Sequence, residues 1–407
     1  MTRLVHGSIF YLEYLTVASV RHFFAVYFLI SANIAMFMKN TESKSVVFTG
    51  GHAATTAVAL VEEIRSQNLN WKLYWIGVRN AIEGKKIVTL ESEVLPRLGV
   101  RFLAIKTGRF QTRFTFWTIP SILKIPIGFI QSFYYLVQIK PEVVLSFGGF
   151  ASFPVVLGAR ILGIPIVIHE QTSESGRSNQ ISSKFATKIA LSRENSLKYF
   201  PLQKCVVTGN PVMKEVTLVK PKKKIGNPAT IFITGGSRGS QSINKVIEKI
   251  LRKLLAKYKV IHQTGGLDYH KFSEIKQALP QALRDNYEVF VRVNPLEVSE
   301  IYGKADLIVS RAGANTVSEI ITVKRPAILI PLSISYRNEQ EANALIAKEL
   351  GIAKIILQKD LTPEILLRNL DNMVVNYQSI MEKVKSKASP DKEASKKLLE
   401  LIKSYVI

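Results

Sequence analysis

Two stretches of the sequence decide the fold, VVFTGGHAATTAVALVEEI at residues 46–64 and TIFITGGSRGSQSINKVIEKIL at residues 230–251. Each runs from a short β-branched segment through a glycine-rich turn into a helical pattern. Glycines at such a junction let backbone N–H groups approach an oxyanion, and the positive end of the helix dipole attracts it. Neither turn has the G-x-G-x-x-G spacing of a dinucleotide site or the Gly-Lys-Ser/Thr of a P-loop. A tight bend explains one such turn equally well, but two turns, each opening a series of strands, favour phosphate binding.

Strand and helix patterns alternate on both sides of a Pro-, Gly- and Lys-rich segment, residues 218–229, which has the composition of a linker. This alternation predicts an α/β fold with parallel sheets and helices on both faces of each sheet. We expect two Rossmann-like domains, residues 45–211 and 212–375, that face a central cleft, and a charged helix in 376–407 that packs back on the first domain. The predicted strands are Ser45–Thr49, Leu73–Ile76, Val143–Ser146, Ile166–His169, Val206–Thr208, Thr230–Thr234, Lys259–Gln263, Val289–Val291, Leu307–Ser310, Ala327–Pro331 and Ala353–Leu357.

The composition fits two globular domains, because the chain has 407 residues of which 47% are hydrophobic. The single cysteine, Cys205, excludes an intrachain disulfide and suits a reducing compartment. A net charge of +24 attracts nucleic acid, anionic lipid or phosphorylated substrates. A Lys-rich surface that only aids solubility explains this charge equally well. The sequence has no basic tract with interleaved aromatics and no zinc-ligand spacing, which argues against nucleic acid and against a metal site.

Residues 1–44 form an apolar leader whose cleanest run is FFAVYFLISANIAMFM, residues 23–38. This run is shorter than the roughly 20 residues that cross a bilayer. Three interpretations remain open: a short membrane anchor, a signal peptide, and an untranslated segment with Met36 or Met38 as the true start. The third is slightly favoured, because the first core strand begins only at about Ser45.

The stretch VLSFGGFASFPVVLGARILGIPIVIHEQ, residues 144–171, repeats the strand, turn and helix pattern and ends in a polar run. In parallel α/β folds, side chains just past the carboxyl end of a strand point into the cleft. His169 and Glu170 at this place suit acid–base work or hydrogen bonding. For Glu170, a satisfied structural network is at least as good an explanation.

A fourth strand–turn–helix pattern, ADLIVSRAGANTVSEIITVKRPAILIP, covers residues 305–331. Thr316 and Glu319 have the spacing of a helix capping box, and a carboxylate there equally suits the hydroxyls of a ribose. Arg311 suits either a phosphate or a structural carboxylate. Polar side chains after the next strand suit either sugar hydroxyls or a solvated helix face, and these are Glu339, Gln340 and Asn343.

Residues 109–137, RFQTRFTFWTIPSILKIPIGFIQSFYYLV, combine aromatic and aliphatic side chains with Arg109, Arg113 and Lys124. A helix buried in the core explains much of this composition. An exposed apolar patch ringed by basic side chains would instead dock on anionic lipid. We favour the docking interpretation.

Eight motifs follow one another in the order TGGH, GGF, GIPIVIHEQ, GNPV, TGGSRGSQSIN, HQTG, RAGANTVSE and EQEANA. From about Ser45 to Gln358 the sequence therefore resembles the MurG family, which transfers GlcNAc from UDP-GlcNAc to lipid I and so makes lipid II. The resemblance implies the GT-B fold and a peripheral enzyme of peptidoglycan synthesis on the cytoplasmic face of the bacterial cell membrane. It implies UDP-GlcNAc, a polyprenyl-pyrophosphate acceptor and an anionic membrane surface as partners, is compatible with contacts to other cell-wall synthesis proteins, and requires no cofactor or metal.

The resemblance also assigns roles, in an inverting transfer without a covalent enzyme intermediate. His52 matches the base that deprotonates the 4-hydroxyl of the acceptor, a task that suits imidazole. Amides of the second turn and the Ser237 hydroxyl would stabilise the leaving diphosphate. The implied donor residues are Asn179, Gly236, Ser237, Arg238, Gly239, Val293, Ala314, Asn315, Thr316, Glu319, Gln340 and Asn343. The implied acceptor and phosphate residues are Thr49, Gly50, Gly51, Phe150, His169, Glu170 and Gln171.

Several positions depart from the family pattern. The first turn lacks a leading glycine pair, and Thr172 replaces the Asn that usually follows HEQ. Met213 replaces the Arg that usually follows GNPV, so we expect Lys214 or Arg238 to supply a diphosphate contact instead. Glu339 replaces a usual Gln, and its charge is unfavourable near a diphosphate unless it faces sugar hydroxyls only.

Two other functions remain open at this point. A related glycolipid transferase, for example one acting on diacylglycerol, would share the donor half, although HEQ and GGF argue against it. A degenerate UDP-sugar-binding subunit is suggested by the altered first turn and by Met213. A nicotinamide oxidoreductase is disfavoured, because neither glycine turn fits that cofactor.

Overall fold

The structure is a computed structural model, and it describes residues 44–51, 53–80, 88–108, 118–236 and 239–406. The side chains of residues 118–123 and of residue 336 stand outside this description. The apolar leader also lies outside the described residues, except for Lys44, so its three interpretations stay open.

A seven-stranded parallel sheet forms the centre of the first domain, in the order β3-β2-β1-β4-β5-β6-β7. Its strands are β1 (Ser45–Thr49), β2 (Lys72–Gly77), β3 (Arg101–Ala104), β4 (Val143–Ser146), β5 (Ile166–Glu170), β6 (Lys188–Leu191) and β7 (Cys205–Val207). The helices are α1 (Ala54–Ser66), α2 (Leu90–Val94), α3 (Thr118–Ile139), α4 (Ser152–Ile161), α5 (Arg177–Ser182) and α6 (Lys214–Thr217).

A six-stranded parallel sheet forms the second domain, in the order β10-β9-β8-β11-β12-β13. Its strands are β8 (Thr230–Thr234), β9 (Lys259–Gln263), β10 (Tyr287–Phe290), β11 (Leu307–Ser310), β12 (Ala327–Leu329) and β13 (Ala353–Ile355). The helices are α7 (Gln241–Leu255), α8 (Tyr269–Gln277), α9 (Gln281–Arg284), α10 (Val298–Lys304), α11 (Ala314–Val323), α12 (Glu339–Glu349), α13 (Pro363–Val375), α14 (Tyr377–Val384) and α15 (Ala394–Lys403). The α/β fold with two parallel sheets is the predicted one.

The central strands are apolar in their middle residues because helices cover both faces of each sheet. Val46, Val47 and Phe48 of β1 are fully buried, and so are Ile231 and Ile233 of β8. In both sheets the strand order reverses next to the first strand of the domain, between β1 and β4 and between β8 and β11. Ligands of doubly wound folds bind at this reversal, outside the carboxyl ends of the strands. The two glycine turns of the sequence follow β1 and β8 and therefore lie at these two places.

Buried polar side chains fix the connection between the domains and the C-terminal tail. Asp306 accepts hydrogen bonds from Gly226 N (3.3 Å) and Thr230 N (2.7 Å), so the linker is bound to the second domain. The tail returns to the first domain, where Arg193 forms a bidentate ion pair with Asp391 at 2.6 and 2.7 Å. Helix α15 then packs against α1.

Candidate active site

The turns after β1 and β4 pack against each other through their backbones. Gly51 N donates to Gly148 O at 3.0 Å. Gly149 has a φ of +89°, and a Cβ there would lie 3.1 Å from Gly51 N. A Cβ on Gly50 would lie 3.0 Å from Cβ of Phe147. Glycine is therefore required for the close approach of the two turns, which explains the pairs found in the sequence.

His52 lies outside the described residues, but both of its neighbours are described. Ala53 N donates to Oε1 of Glu91 at 2.9 Å, and Glu91 is only 3% exposed. No sequence pattern indicates Glu91, because it lies in no glycine motif and its partner is 38 positions away. The predicted acceptor residues Thr49 and Phe150 lie at the ends of β1 and of the β4 turn, with Thr49 fully buried and Phe150 partly buried.

Glu170 lies at the centre of a hydrogen-bond network. Its carboxylate accepts bonds from Thr172 N and Oγ1 (3.2 and 2.9 Å), Ser175 Oγ (3.0 Å), Gly176 N (3.3 Å) and Asn179 Nδ2 (3.0 Å). Burial raises the pKa of this carboxyl group, and the hydrogen bonds oppose the increase. Glu170 therefore organises the loop after β5. Of the two interpretations offered by the sequence, this network fits the structural role. Asn179, predicted in the donor loop, belongs to the same network.

His169 is buried completely, and burial lowers its pKa to about 4. Its Nε2 lies 3.2 Å from Gly209 O and 3.4 Å from Ser192 Oγ. A neutral imidazole enclosed in this way supports the loop and does not exchange protons with a substrate at neutral pH. Gln171, the last residue of the motif, has its Oε1 3.5 Å from Thr56 Oγ1 on α1.

The turn after β8 also depends on close backbone packing. A Cβ on Gly235 would lie 2.2 Å from Ser240 N, and one on Gly239 would lie 2.1 Å from Thr264 O. Gly236 has a φ of +80°, and its carbonyl accepts a bond from Gln263 Nε2 at 2.6 Å. Ser237 and Arg238 lie outside the described residues. Val293, predicted near the uracil, is buried beside this turn, because its N–H donates to Oε1 of the same Gln263 at 3.1 Å.

Helix α11 begins at Ala314 with Gly313 as its N-cap, so Thr316 lies in the first turn and does not cap the helix. The capping-box interpretation is therefore wrong. The backbone N–H groups of residues 314–316 lie at the N-terminal end of α11, on the cleft side, where the helix dipole attracts anions. Glu319, one turn later, is buried and accepts a bond from Tyr302 Oη at 2.7 Å. Burial raises its pKa to about 7.

Arg311 binds no carboxylate among the described residues. Its guanidinium donates to the hydroxyls of Ser240 (3.0 Å) and Ser242 (2.5 Å) and to Oε1 of Gln358 (2.6 Å). It also donates to the carbonyls of Ile330 (3.0 Å) and Pro331 (3.1 Å). All five donors are used by neutral groups, which fixes the turn after β8 to the loop after β12.

Asn315 joins the two domains, and its predicted contact with the donor stays a prediction. Its Nδ2 donates to Thr55 Oγ1 at 2.8 Å, and its Oδ1 accepts from Thr56 Oγ1 (3.2 Å) and Asn210 Nδ2 (2.9 Å). One turn along α11, Ser318 Oγ accepts from Arg193 and Asn210 at 3.0 and 3.2 Å. The carboxyl ends of the two sheets are thereby brought face to face.

The amide side chains of the last motif bind loops of the second domain. Gln340 Oε1 accepts from Leu332 N at 3.0 Å, and Asn343 Nδ2 donates to Ala312 O at 3.2 Å. The pKa of Glu339 is raised by burial and by the charge of Glu170. Met213, the departure after GNPV, is buried in the hydrophobic core that includes α1 and α6.

Comparisons with known proteins agree with this arrangement. The model of the glycosyltransferase family 28 N-terminal domain matches residues 45–191, and that of the family 28 C-terminal domain matches residues 230–400. A Bacillus cytotoxicus protein is 34% identical over 366 residues, which cover 88% of this chain and 97% of the relative. It is named UDP-N-acetylglucosamine--N-acetylmuramyl-(pentapeptide) pyrophosphoryl-undecaprenol N-acetylglucosamine transferase.

A second relative with the same name, from Caldanaerobacter subterraneus, is 33% identical over 364 residues, with coverage of 88% and 97%. Among solved structures, Acinetobacter baumannii MurG superposes with a TM-score of 0.65 at 26% identity, covering 89% of this chain and 99% of that one. The two parallel sheets facing one cleft are thus the GT-B fold, as predicted. The chain belongs to the MurG family of glycosyltransferase family 28.

Proposed function

We propose that the protein transfers GlcNAc from UDP-GlcNAc to the 4-hydroxyl of undecaprenyl-pyrophosphoryl-MurNAc-pentapeptide, as the names of its relatives state for those proteins. One observation carries this proposal. Asn315, in the first turn of α11, is hydrogen-bonded to Thr55 and Thr56, which follow His52 by three and four residues. The start of α1, which follows the candidate base in the sequence, and the candidate donor helix therefore meet at one interface between the domains.

The donor lies against the second domain in this proposal. Its diphosphate is bound by the amides at the start of α11 and by the turn at Gly236–Gly239, where the helix dipole and N–H groups stabilise the leaving charge. Glu319 accepts the ribose hydroxyls, and the uracil lies beside Val293. Gln340 and Asn343 shape the sugar pocket by fixing the loops at Leu332 and Ala312.

The acceptor lies against the first domain. The imidazole of His52 removes the proton from the 4-hydroxyl of MurNAc, the oxygen attacks the anomeric carbon, and UDP leaves from the opposite side. This direct displacement inverts the anomeric centre. The described residues bring no group of three or more His, Cys, Asp or Glu side chains together as a metal site. We propose that amides and dipoles do the work of a cation in stabilising the leaving group.

The transfer of radiolabelled GlcNAc to a lipid I analogue tests this function. We expect turnover that EDTA leaves unchanged, and a loss of about 10²- to 10⁴-fold in kcat for His52→Ala. His270→Ala is the matched control, because His270 is exposed on α8 and pairs only with Glu274. The full chain and a chain starting at Met38 are compared. Transfer to diacylglycerol in place of lipid I, or no transfer by either chain, would contradict the proposal.

We also propose that the protein docks on the cytoplasmic face of the membrane through α3. Within the predicted docking stretch, Ile127, Ile130 and Tyr134 are 46%, 66% and 58% exposed, and their spacing places them on one face of the helix. The opposite face contains Gly128, Ser132 and Leu136, which are buried. Residues 109–117 of the stretch lie outside the described residues. No helix among the residues that the structure describes is long and apolar enough to cross a membrane.

Binding to vesicles of phosphatidylglycerol and phosphatidylcholine tests the docking surface. We expect Ile130→Glu to weaken binding about tenfold, because the carboxylate adds repulsion from the anionic surface and removes an apolar contact. Val375→Glu introduces the same change at an exposed residue of the second domain and should leave binding unchanged. Equal affinities of the two variants would place the docking surface elsewhere.

A further inference from the structure

The backbone is fixed by long-range hydrogen bonds on both sides of His52. On the N-terminal side, Gly51 N donates to Gly148 O at 3.0 Å, from the turn after β4. On the C-terminal side, Ala53 N donates to Glu91 Oε1 at 2.9 Å, from α2. The second bond holds the N–H of the peptide group that follows His52.

Glu91 is an unusual residue to accept a backbone N–H in the interior of the protein. Carboxylates are rarely buried without a compensating interaction, and Glu91 is only 3% exposed. Ala53, the N-cap of α1, has no side chain that can accept a hydrogen bond, and α1 has no side-chain cap of its own. The carboxylate of Glu91 instead accepts the N–H of the N-cap residue itself, the bond that a Glu at N3 accepts in a capping box, and the positive end of the dipole of α1 stabilises its charge.

The position of Glu91 is itself well determined. Thr89 is the N-cap of α2, where its Oγ1 accepts from Ser92 N at 3.4 Å and donates to Val78 O at 3.1 Å. Val78 directly follows β2, the neighbour of β1 in the sheet. The chain from β2 through Thr89 to Glu91 therefore connects the sheet to the residue after His52.

We propose that Glu91 is a positioning residue for catalysis, which fixes the peptide after His52 so that the imidazole is presented to the acceptor hydroxyl. This inference rests on the proposed role of His52 as the base. Glu91 acts through His52 and does not contact the substrate. Displacing a reacting group by about 1 Å costs on the order of 100-fold in rate, so the loss of one fixed peptide is enough to be measured.

Steady-state kinetics of four variants test the proposal: Glu91→Ala, Glu91→Gln, His52→Ala and the double variant. We expect Glu91→Ala to lower kcat by about 10- to 100-fold with an unchanged KM for UDP-GlcNAc, because the donor site lies in the other domain. Glu91→Gln keeps an oxygen acceptor at the same reach and should retain kcat within about fivefold. The double variant should be no slower than His52→Ala alone, because both changes remove the same contribution.

Asp306→Asn is the matched control, since Asp306 is also a buried carboxylate that accepts backbone N–H groups, but at the linker. It should lower the melting temperature and leave kcat unchanged. If Glu91→Ala does not fold, as judged by its melting curve and UDP binding, Glu91→Asp replaces it. The shorter side chain withdraws the carboxylate, so positioning predicts a lower kcat for Glu91→Asp than for Glu91→Gln.

The outcomes separate this inference from the function on which it rests. A folded Glu91→Ala enzyme with kcat within twofold of the parent would overturn the positioning role. So would a double variant that is slower than His52→Ala by the full factor of Glu91→Ala. Undiminished turnover of His52→Ala would instead reject the catalytic base, whatever the Glu91 variants do.

Discussion

The two domains share one topology but use opposite charges to organise the edges of their cleft. In the first domain the carboxylate of Glu170 gathers N–H and O–H groups from the loop after β5. In the second domain the guanidinium of Arg311 gathers carbonyls, hydroxyls and an amide oxygen. Neither has a partner of opposite charge within the described parts of the chain. Burial opposes both charges, and accordingly the pKa of Glu170 is raised and that of Arg311 is lowered.

This difference in charge indicates which side of the cleft favours a bound anion. An uncompensated guanidinium beside the turn after β8 favours a nucleotide diphosphate, because opposite charges attract strongly where water is scarce. An uncompensated carboxylate on the facing side disfavours one. Burial raises the pKa of Glu339, and the charge of Glu170 raises it further. We therefore propose, on electrostatic grounds that are independent of any motif, that the donor binds to the second domain.

Removal of Arg311 is expected to have the largest effect. Arg311→Met leaves two carbonyls and three side-chain oxygens without their donor, and we expect a loss of about 3–5 kcal/mol in the free energy of unfolding by urea. We also expect UDP to bind about tenfold more weakly, because the positive charge is lost. Arg284→Met is the control, since Arg284 is exposed at the end of α9 and binds two carbonyls there. A destabilised variant with unchanged UDP affinity would contradict the claim that the charge of Arg311 favours the diphosphate.

Glu319 is an exception to this charge difference, because it is a buried carboxylate in the domain that otherwise favours anions. Glu170 accepts five hydrogen bonds, whereas Glu319 accepts one from Tyr302, and burial raises its pKa from 4.5 to about 7. The folded state therefore binds a proton that the unfolded state releases between these pH values. Protonation of Glu319 therefore stabilises the folded state. This contribution is fully present below pH 4.5 and is lost as the pH rises through 7, which lowers the free energy of unfolding by about 3 kcal/mol.

Ribose hydroxyls need the ionised form of Glu319 as an acceptor, so the affinity for UDP should depend on pH. We expect UDP to bind about tenfold more weakly at pH 6 than at pH 8, as measured by titration calorimetry. Glu319→Gln is the matched control, since it retains an acceptor and reports the titration of the phosphates of UDP alone. If parent and variant show the same pH dependence, Glu319 does not contact the ribose.

Much of the fold was predictable, because a buried parallel strand and the glycine turn after it are local features. All the predicted strands are present with ends shifted by at most two residues, and both turns lie at the reversal points of the sheets. Two strands were missed. β3 is an edge strand that begins with the exposed Arg101, and β6 is a four-residue strand that begins with Lys188, so the apolar run within each strand is only three residues long.

The side-chain roles were less predictable, because their partners are distant in the sequence. Glu91 reaches a residue 38 positions away, and Asn315 reaches one 260 positions away. A motif indicates that Asn315 lies near a ligand, but it does not reveal that the side chain faces the other domain. The same holds for Arg311, whose five acceptors come from three separate loops.

Asn315 marks the point where the two differently charged edges meet, and its removal is expected to have the smallest effect. Asn315→Ala removes three hydrogen bonds between the domains, each worth about 1 kcal/mol or less at a partly exposed interface. We expect kcat to fall several-fold, because the base and the donor helix lose a shared contact. The KM for UDP-GlcNAc should remain unchanged, since the amides of α11 are backbone groups that the substitution leaves in place.

Thr322→Ala serves as the control for Asn315→Ala on the same helix. Thr322 Oγ1 bonds only Ser389 of the C-terminal tail at 2.9 Å, so its loss removes a contact of α11 without touching α1. This variant should keep both kcat and KM. A raised KM with unchanged kcat for Asn315→Ala would instead mean that its amide contacts the donor, as the motif alone suggested. In that case the carboxylate side and the guanidinium side of the cleft would be joined by the substrate and not by Asn315.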